Sequence, residues 1–215
     1  MVSKTRKMKK KSIKKTKKNI SKKIKILRNF EGSNIGILSK KVKIGKIKIN
    51  LKIQKDPYKK EVKRKFQNWF YFKVSSVKDK LIDYEIHNAN NYDDDWKGFN
   101  VCYSYDNENW KRTKTIVKTK KSKANISWTF KSKQDNVWFA YYPPYSFQKV
   151  KQKYKDYKTI GRSEQGRPIL MKKMGSGETK IWVISGQHPG ETVNMWMLEG
   201  FLKRLMERKN LLKKY

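Results

Sequence analysis

From Ile26 to Phe147 the chain is written in short runs that alternate apolar and polar residues, bounded by turn formers. "KVKIGKIKINLKI" (41–53) sets Lys against Val, Ile or Leu, the period of a half-buried strand. "WFYFKVSS" (69–76), "LIDYEIHN" (81–88), "FNVCYSYD" (99–106), "KRTKTIVKT" (111–119), "ANISWTF" (124–130) and "NVWFAYY" (136–142) follow. All are rich in β-branched and aromatic residues, and Asn, Asp, Gly or Ser separates them. Several short strands at this spacing predict an antiparallel sandwich or barrel over residues 26–147. "YDNEN" (105–109) reads as a hairpin turn, and Pro143-Pro144 stops the last strand and marks a domain edge. No internal repeat interrupts this pattern. The hydrophobic fraction is only 36%, but seven Trp, twelve Tyr and nine Phe supply an aromatic-rich core that disordered chains lack.

Residues 1–25 differ: many Lys, no acidic residue and almost nothing to bury. Self-repulsion predicts a disordered basic tail, solvated or acting as a polyanion-binding arm. The whole chain carries a formal charge of +37, which attracts nucleic acid, anionic surfaces or acidic peptides. The cations are mostly Lys and are spread through every segment, whereas base and phosphate recognition favours the planar fork of Arg. Non-specific polyanion binding through residues 1–25 is therefore the expectation. The single cysteine, Cys102, allows no internal disulfide and reads as a small buried hydrophobe. No apolar run approaches the ~20 residues of a membrane helix, and no apolar segment follows the basic N-terminus as in a secretory signal. A cytoplasmic protein without a membrane partner is expected. Asp93-Asp94-Asp95 reads as a solvated turn rather than a calcium loop, because no further spaced ligands accompany it.

Beyond Pro144 the pattern changes, and residues 148–215 read as the beginning of an α/β domain. Phe147, Val150, Tyr154 and Tyr157 have helical spacing over 147–161. A Gly-containing turn, "RSEQGRP", precedes two expected strands, "ILMKKMG" and "KIWVISG". A helix is then predicted from Glu191 to Lys214, with Val193, Trp196, Met197, Gly200, Phe201 and Leu205 along one stripe. Glu191 and Thr192 stand where acidic and hydroxyl groups cap a helix, and Lys and Arg gather in its last turns.

Between the second strand and this helix lies His188-Pro189-Gly190-Glu191. Ile181-Trp182-Val183-Ile184 is the kind of continuous apolar strand that α/β sheets bury, and ligands gather at the carboxyl ends of such strands. Pro189 biases His188 towards extended backbone, and Gly190 permits a reversal that brings Glu191 back towards the imidazole. An imidazole nitrogen and a carboxylate oxygen suit zinc. By spacing alone two readings stay open: a helix cap beside a solvated histidine, or part of a metal site.

"GQHPGETVNMWMLEGFL" (186–202) resembles the zinc-binding segment of the M14 metallocarboxypeptidases, in the branch that contains the cytosolic carboxypeptidases. The likeness includes Gln187, the Pro-Gly-Glu-Thr sequence, Trp196 and Glu199-Gly200-Phe201. "IGRSEQGRPI" (160–169) resembles the turn that opens the catalytic domain of that family. "NFEGSNI" (29–35), "WFYFKV", "YEIHN", Trp96, "SYDNENWKR" and "WFAYYPPYS" are similar to recurring phrases of that branch's N-terminal domain, in order. The resemblance implies a β-sandwich N-terminal domain followed by the truncated start of an α/β zinc-carboxypeptidase domain. It implies Zn2+ as cofactor, with His188 and Glu191 as ligands, and peptide or protein C-termini as partners, acidic or glutamate-bearing in the cytosolic branch. It also implies a second histidine ligand, Arg and Asn residues that hold the substrate carboxylate, and a late catalytic Glu, none of which can be placed here. The only other histidine, His87, falls in the sandwich, and Glu199 matches the Glu-Gly pair without being the general base. The expectation is the N-terminal portion of a carboxypeptidase, inactive by itself, with the Trp182 strand exposing an apolar face. The rival is a non-catalytic β-sandwich binding module with a Lys-rich polyanion-binding arm.

Overall fold

A computed structural model describes residues 23–43, 46–55, 67–90, 96–188 and 190–214. The tail expected over 1–25 lies outside them except for its last three residues, where Ile24 is buried and Lys25 opens the first strand. Asp93, Asp94, Asp95 and Pro189 also lie outside the described residues. The chain divides between Tyr142 and Pro143 into two units.

The first unit is a β-sandwich of two five-stranded sheets. One has the order β1 (Lys25–Leu27), β4 (Tyr71–Ser75), β10 (Asn136–Ala140), β6 (Val101–Ser104), β7 (Lys111–Thr113). The other runs β2 (Gly36–Lys43), β3 (Lys46–Lys52), β5 (Leu81–Asn90), β9 (Lys123–Lys131), β8 (Ile116–Lys120). Burial alternates along β3, β5 and β9, so each strand turns one face inward as its period dictates. The inner faces meet through rings. Tyr84 stacks on Trp128 at 5.2 Å within one sheet, and Phe139 of the other lies 5.0 Å from Tyr84 and 5.4 Å from Trp128. Phe72 and Phe130 close around Phe139 at 5.6 and 5.2 Å. Burial pushes the Tyr84 hydroxyl far above its ordinary range.

Three local readings change. The 41–53 alternation belongs to two strands, with Lys43 opposite Lys46, so one period serves both arms of a hairpin. The run 111–119 is also two strands, one in each sheet. Its crossing point is Thr115, whose hydroxyl accepts from Val101 N at 2.9 Å and donates to Thr113 O at 2.9 Å. Finally, β3 and β5 pair in parallel, because the chain between them passes through β4 of the opposite sheet. The 105–109 turn is as expected: Asp106 accepts from Asn109 N, Glu108 N, the Asn109 amide and Ser104 Oγ. These bonds hold its carboxyl well below the usual range.

The second unit carries α1 (Phe147–Lys153), β11 (Lys158–Arg162), β12 (Pro168–Met171), α2 (Val193–Glu207) and α3 (Lys209–Lys214). Ser146 caps α1 by accepting from Lys149 N at 3.1 Å. The helix expected to reach Gly161 stops at Lys153, because Lys158–Arg162 is taken up as a strand against Pro168–Met171. No strand forms at 181–184. A strand needs a neighbour for its N–H and C=O groups, and among the described residues β12 pairs only with β11. The side chain of Trp182 is left 77% exposed.

Replacing Phe139 with Ala removes the ring shared by both sheets and is expected to cost about 3–5 kcal/mol. Ile116→Ala on the exposed face of β8 should stay within about 0.5 kcal/mol. Urea unfolding followed by tryptophan fluorescence checks both.

Candidate metal centre

The 188–191 loop closes on itself. Glu191 N donates to His188 O at 3.2 Å, and Gly190 sits at φ +87°, a left-handed conformation that side chains with a Cβ rarely adopt. The reversal brings His188 Nδ1 to 3.0 Å from Glu191 Oε2. Their side chains are 73% and 57% exposed, so both face solvent rather than the interior. Two donors about 2.0–2.2 Å from a tetrahedral ion stand roughly 3.4 Å apart, which this pair reaches with a small outward movement. Nitrogen and carboxylate oxygen are also a donor set that zinc accepts. The pair therefore fits two positions of a zinc site; among the described residues no cluster of three or more His, Cys, Asp or Glu side chains surrounds them.

The expected helix cap does not form. Thr192 makes no side-chain bond to its own helix; its hydroxyl donates instead to Pro143 O at 2.9 Å. Trp196 Nε1 donates to the same oxygen at 3.0 Å. On the incoming side, Asn194 Oδ1 accepts from Ser185 Oγ and Gly186 N, each at 3.3 Å. One turn further along α2, Glu199 accepts from Tyr145 Oη at 2.9 Å and pairs with Lys153. Burial alone would raise the Glu199 carboxyl, but hydrogen bonds from Lys153 and Tyr145 and the charges of Lys153 and Lys149 outweigh it and hold it below its ordinary value. Tyr145 moves upward, through burial first and then its bonds to Tyr154 and Glu199. Of the apolar stripe drawn along α2, Val193, Met197 and Phe201 are exposed; Trp196 is the stripe residue that carries contacts, together with Glu199, which lies outside the stripe.

His87 lies in the first unit, where its Nε2 is 2.9 Å from Asn50 Oδ1 and its Nδ1 is 3.6 Å from Glu85. It is a tethered surface residue of the sandwich. Cys102 is buried, and that burial pushes its thiol up. Tyr145, Asn194 and the Pro143 carbonyl are anchoring groups that pattern reading did not single out. Pro143 and Tyr145 have partners on α2 about fifty residues away, whereas Asn194 bonds Ser185 and Gly186, nine and eight residues back, and Tyr145 also meets Tyr154, nine residues on.

Residues 26–142 match the cytosolic carboxypeptidase N-terminal domain, and residues 145–215 match the zinc carboxypeptidase model of the M14 peptidases. The chain belongs to the M14 zinc carboxypeptidases. An uncharacterized protein of Zymomonas mobilis is 30% identical to this M14 chain over 188 residues, covering 83% of the chain and 46% of the relative. A metallo-carboxypeptidase from Pseudomonas aeruginosa, solved with (2-guanidinoethylmercapto)succinic acid, superposes with a TM-score of 0.66 at 25% identity. That superposition covers 88% of the M14 chain and 52% of the solved one. A metallo-carboxypeptidase from Burkholderia cenocepacia shares the fold at a TM-score of 0.66 and 24% identity, over 85% of this chain and 48% of that one. The chain thus spans about half the length of the relatives it matches. Among the described residues no helix is long and apolar enough to cross a membrane.

Glu199 gives a pH dependence whose sign is fixed. A carboxyl held below its unfolded value adds stability above that value, here 4.5, and loses it as pH falls through the lower folded value. The thermal midpoint of the wild type should exceed that of Glu199→Gln near neutrality, and the gap should close as pH falls below the unfolded value. Circular-dichroism melts of the two proteins across that fall in pH measure it.

Proposed function

We propose that the chain is the N-terminal portion of a zinc-dependent carboxypeptidase that removes C-terminal residues from peptides or proteins, with His188 and Glu191 as two ligands of the metal. The observation that carries the reading is the 3.0 Å approach of His188 Nδ1 to Glu191 Oε2 across a glycine turn, inside the segment matched by the zinc carboxypeptidases. His188 supplies a neutral nitrogen donor, and Glu191 offsets part of the cation's charge. Zinc bound there supplies Lewis-acid polarisation of the scissile carbonyl and a water of lowered pKa.

The substrates proposed are peptide or protein C-termini that are acidic or carry glutamate; the resemblance to the cytosolic branch supports this. The same likeness supports the cytoplasm as the protein's location. The described residues hold a two-donor pair without a third ligand or a general base beside it, so the 215-residue chain alone is proposed to lack peptidase turnover.

Zinc titration of the 215-residue protein tests the ligand pair. Binding is expected for the wild type, lost in His188→Ala and weakened at least about tenfold in Glu191→Gln. A wild type that takes up no zinc would overturn the reading. Release of glutamate from a peptide ending in Glu-Glu by this chain alone would overturn the proposed lack of turnover.

A further inference from the structure

We infer that Thr192 and Trp196 are positioning residues for the metal loop: together they hang the first turn of α2, and with it Glu191, on the carbonyl of Pro143. The inference rests on the reading of His188 and Glu191 as ligands.

Thr192 follows Glu191 directly and occupies the position from which a threonine ordinarily caps its own helix. Its hydroxyl is turned away from that role and donates to Pro143 O at 2.9 Å. Trp196, at i+4 on the same helix face, donates its indole N–H to that oxygen at 3.0 Å. Both lone pairs of one carbonyl are therefore used by one helix face. The acceptor is stiff, because Pro143 and Pro144 have fixed φ and no N–H of their own. The indole is itself held in place. Tyr145 meets it edge-on at 5.0 Å, and the Lys149 ammonium lies 3.6 Å from its centroid. The Tyr145 hydroxyl then reaches Glu199, so Thr192, Trp196 and Glu199 at i, i+4 and i+7 grip the segment that begins at Pro143.

The grip matters because the ligand pair has little else to hold it. Both side chains are largely exposed, and the separation of their donor atoms is set by the backbone between Gly186 and Thr192. Asn194 fastens the first end of that span through Ser185 and Gly186, and the Pro143 carbonyl fastens the second. A span tied at both ends loses less conformational freedom when a cation draws the two donors together. The anchoring bonds thus set metal affinity without touching the metal, as groups behind metal ligands do elsewhere.

The test compares Zn2+ affinity, read by competition with a chromophoric chelator, in the full 215-residue chain and in its Thr192→Val/Trp196→Phe variant. The double variant should bind Zn2+ about tenfold more weakly. Thr192→Val alone keeps every ring contact and should cost about threefold, while Thr192→Ser, which keeps the hydroxyl, should bind within about twofold of wild type. A double variant that melts at lower temperature but binds Zn2+ as the wild type does would reduce both residues to structural ones and overturn the inference. So would Thr192→Val binding unchanged, if the double variant fails to fold. Absence of Zn2+ binding by the wild type would remove the ligand assignment and this inference with it, whereas wild-type binding with unchanged variants removes this inference alone.

Discussion

Aromatic rings fill the space between the two sheets, and the register of the central strands follows from keeping them there. Tyr84, Trp128 and Phe139 lie within 5.0–5.4 Å of one another, drawn from two strands of one sheet and one of the other. A slip of one residue in β5 or β9 would turn these rings outward and bring Asp83, Glu85 or Ser127 into the core, at a cost in desolvation no other contact offsets. Two tight turns between paired strands use left-handed backbone, at Asn107 in the β6–β7 turn and at Lys121 in the β8–β9 turn.

Much of this was legible in the residue pattern. A period of two marks the strands with buried inner faces, and the eight-to-twelve-residue spacing of turn formers marks an all-β sandwich. What pattern cannot supply is which strands are neighbours. The passage 111–119 reads as one strand, yet Thr115 sends its two halves to different sheets through bonds with Val101 and Asn100. Likewise β3 and β5 are parallel although most pairings are antiparallel, since long-range topology leaves no trace in a local alternation.

The second unit shows the opposite balance. Of the helically spaced Phe147, Val150, Tyr154 and Tyr157, the first two lie in α1, which ends at Lys153; Tyr154 is its C-cap and Tyr157 lies in the turn before the strand Lys158–Arg162, which pairs with Pro168–Met171. The loop at 188–191 was ambiguous from spacing alone, because three-residue His–Glu separations are compatible with a capped helix as well as with a ligand pair. Its glycine was the informative residue: φ +87° at Gly190 is what turns Glu191 towards His188 rather than into the cap. Thr192 stands at the cap position of α2, yet its hydroxyl makes no bond to that helix. The acceptor of its hydroxyl, the Pro143 carbonyl, is 49 residues away in the chain.

The exposed run Ile181-Trp182-Val183-Ile184 has a bearing on how the protein behaves in bulk. Uncharged, built of β-branched residues and one Trp, and free of proline, it is an adhesive stretch through which molecules stick together. The surplus of 37 positive charges opposes this by mutual repulsion, whose reach is about 10 Å at 0.1 M salt and about 3 Å at 1 M. Colloidal stability is therefore tied to ionic strength: dilute buffers keep the molecules dispersed, and concentrated salt lets the adhesive run decide.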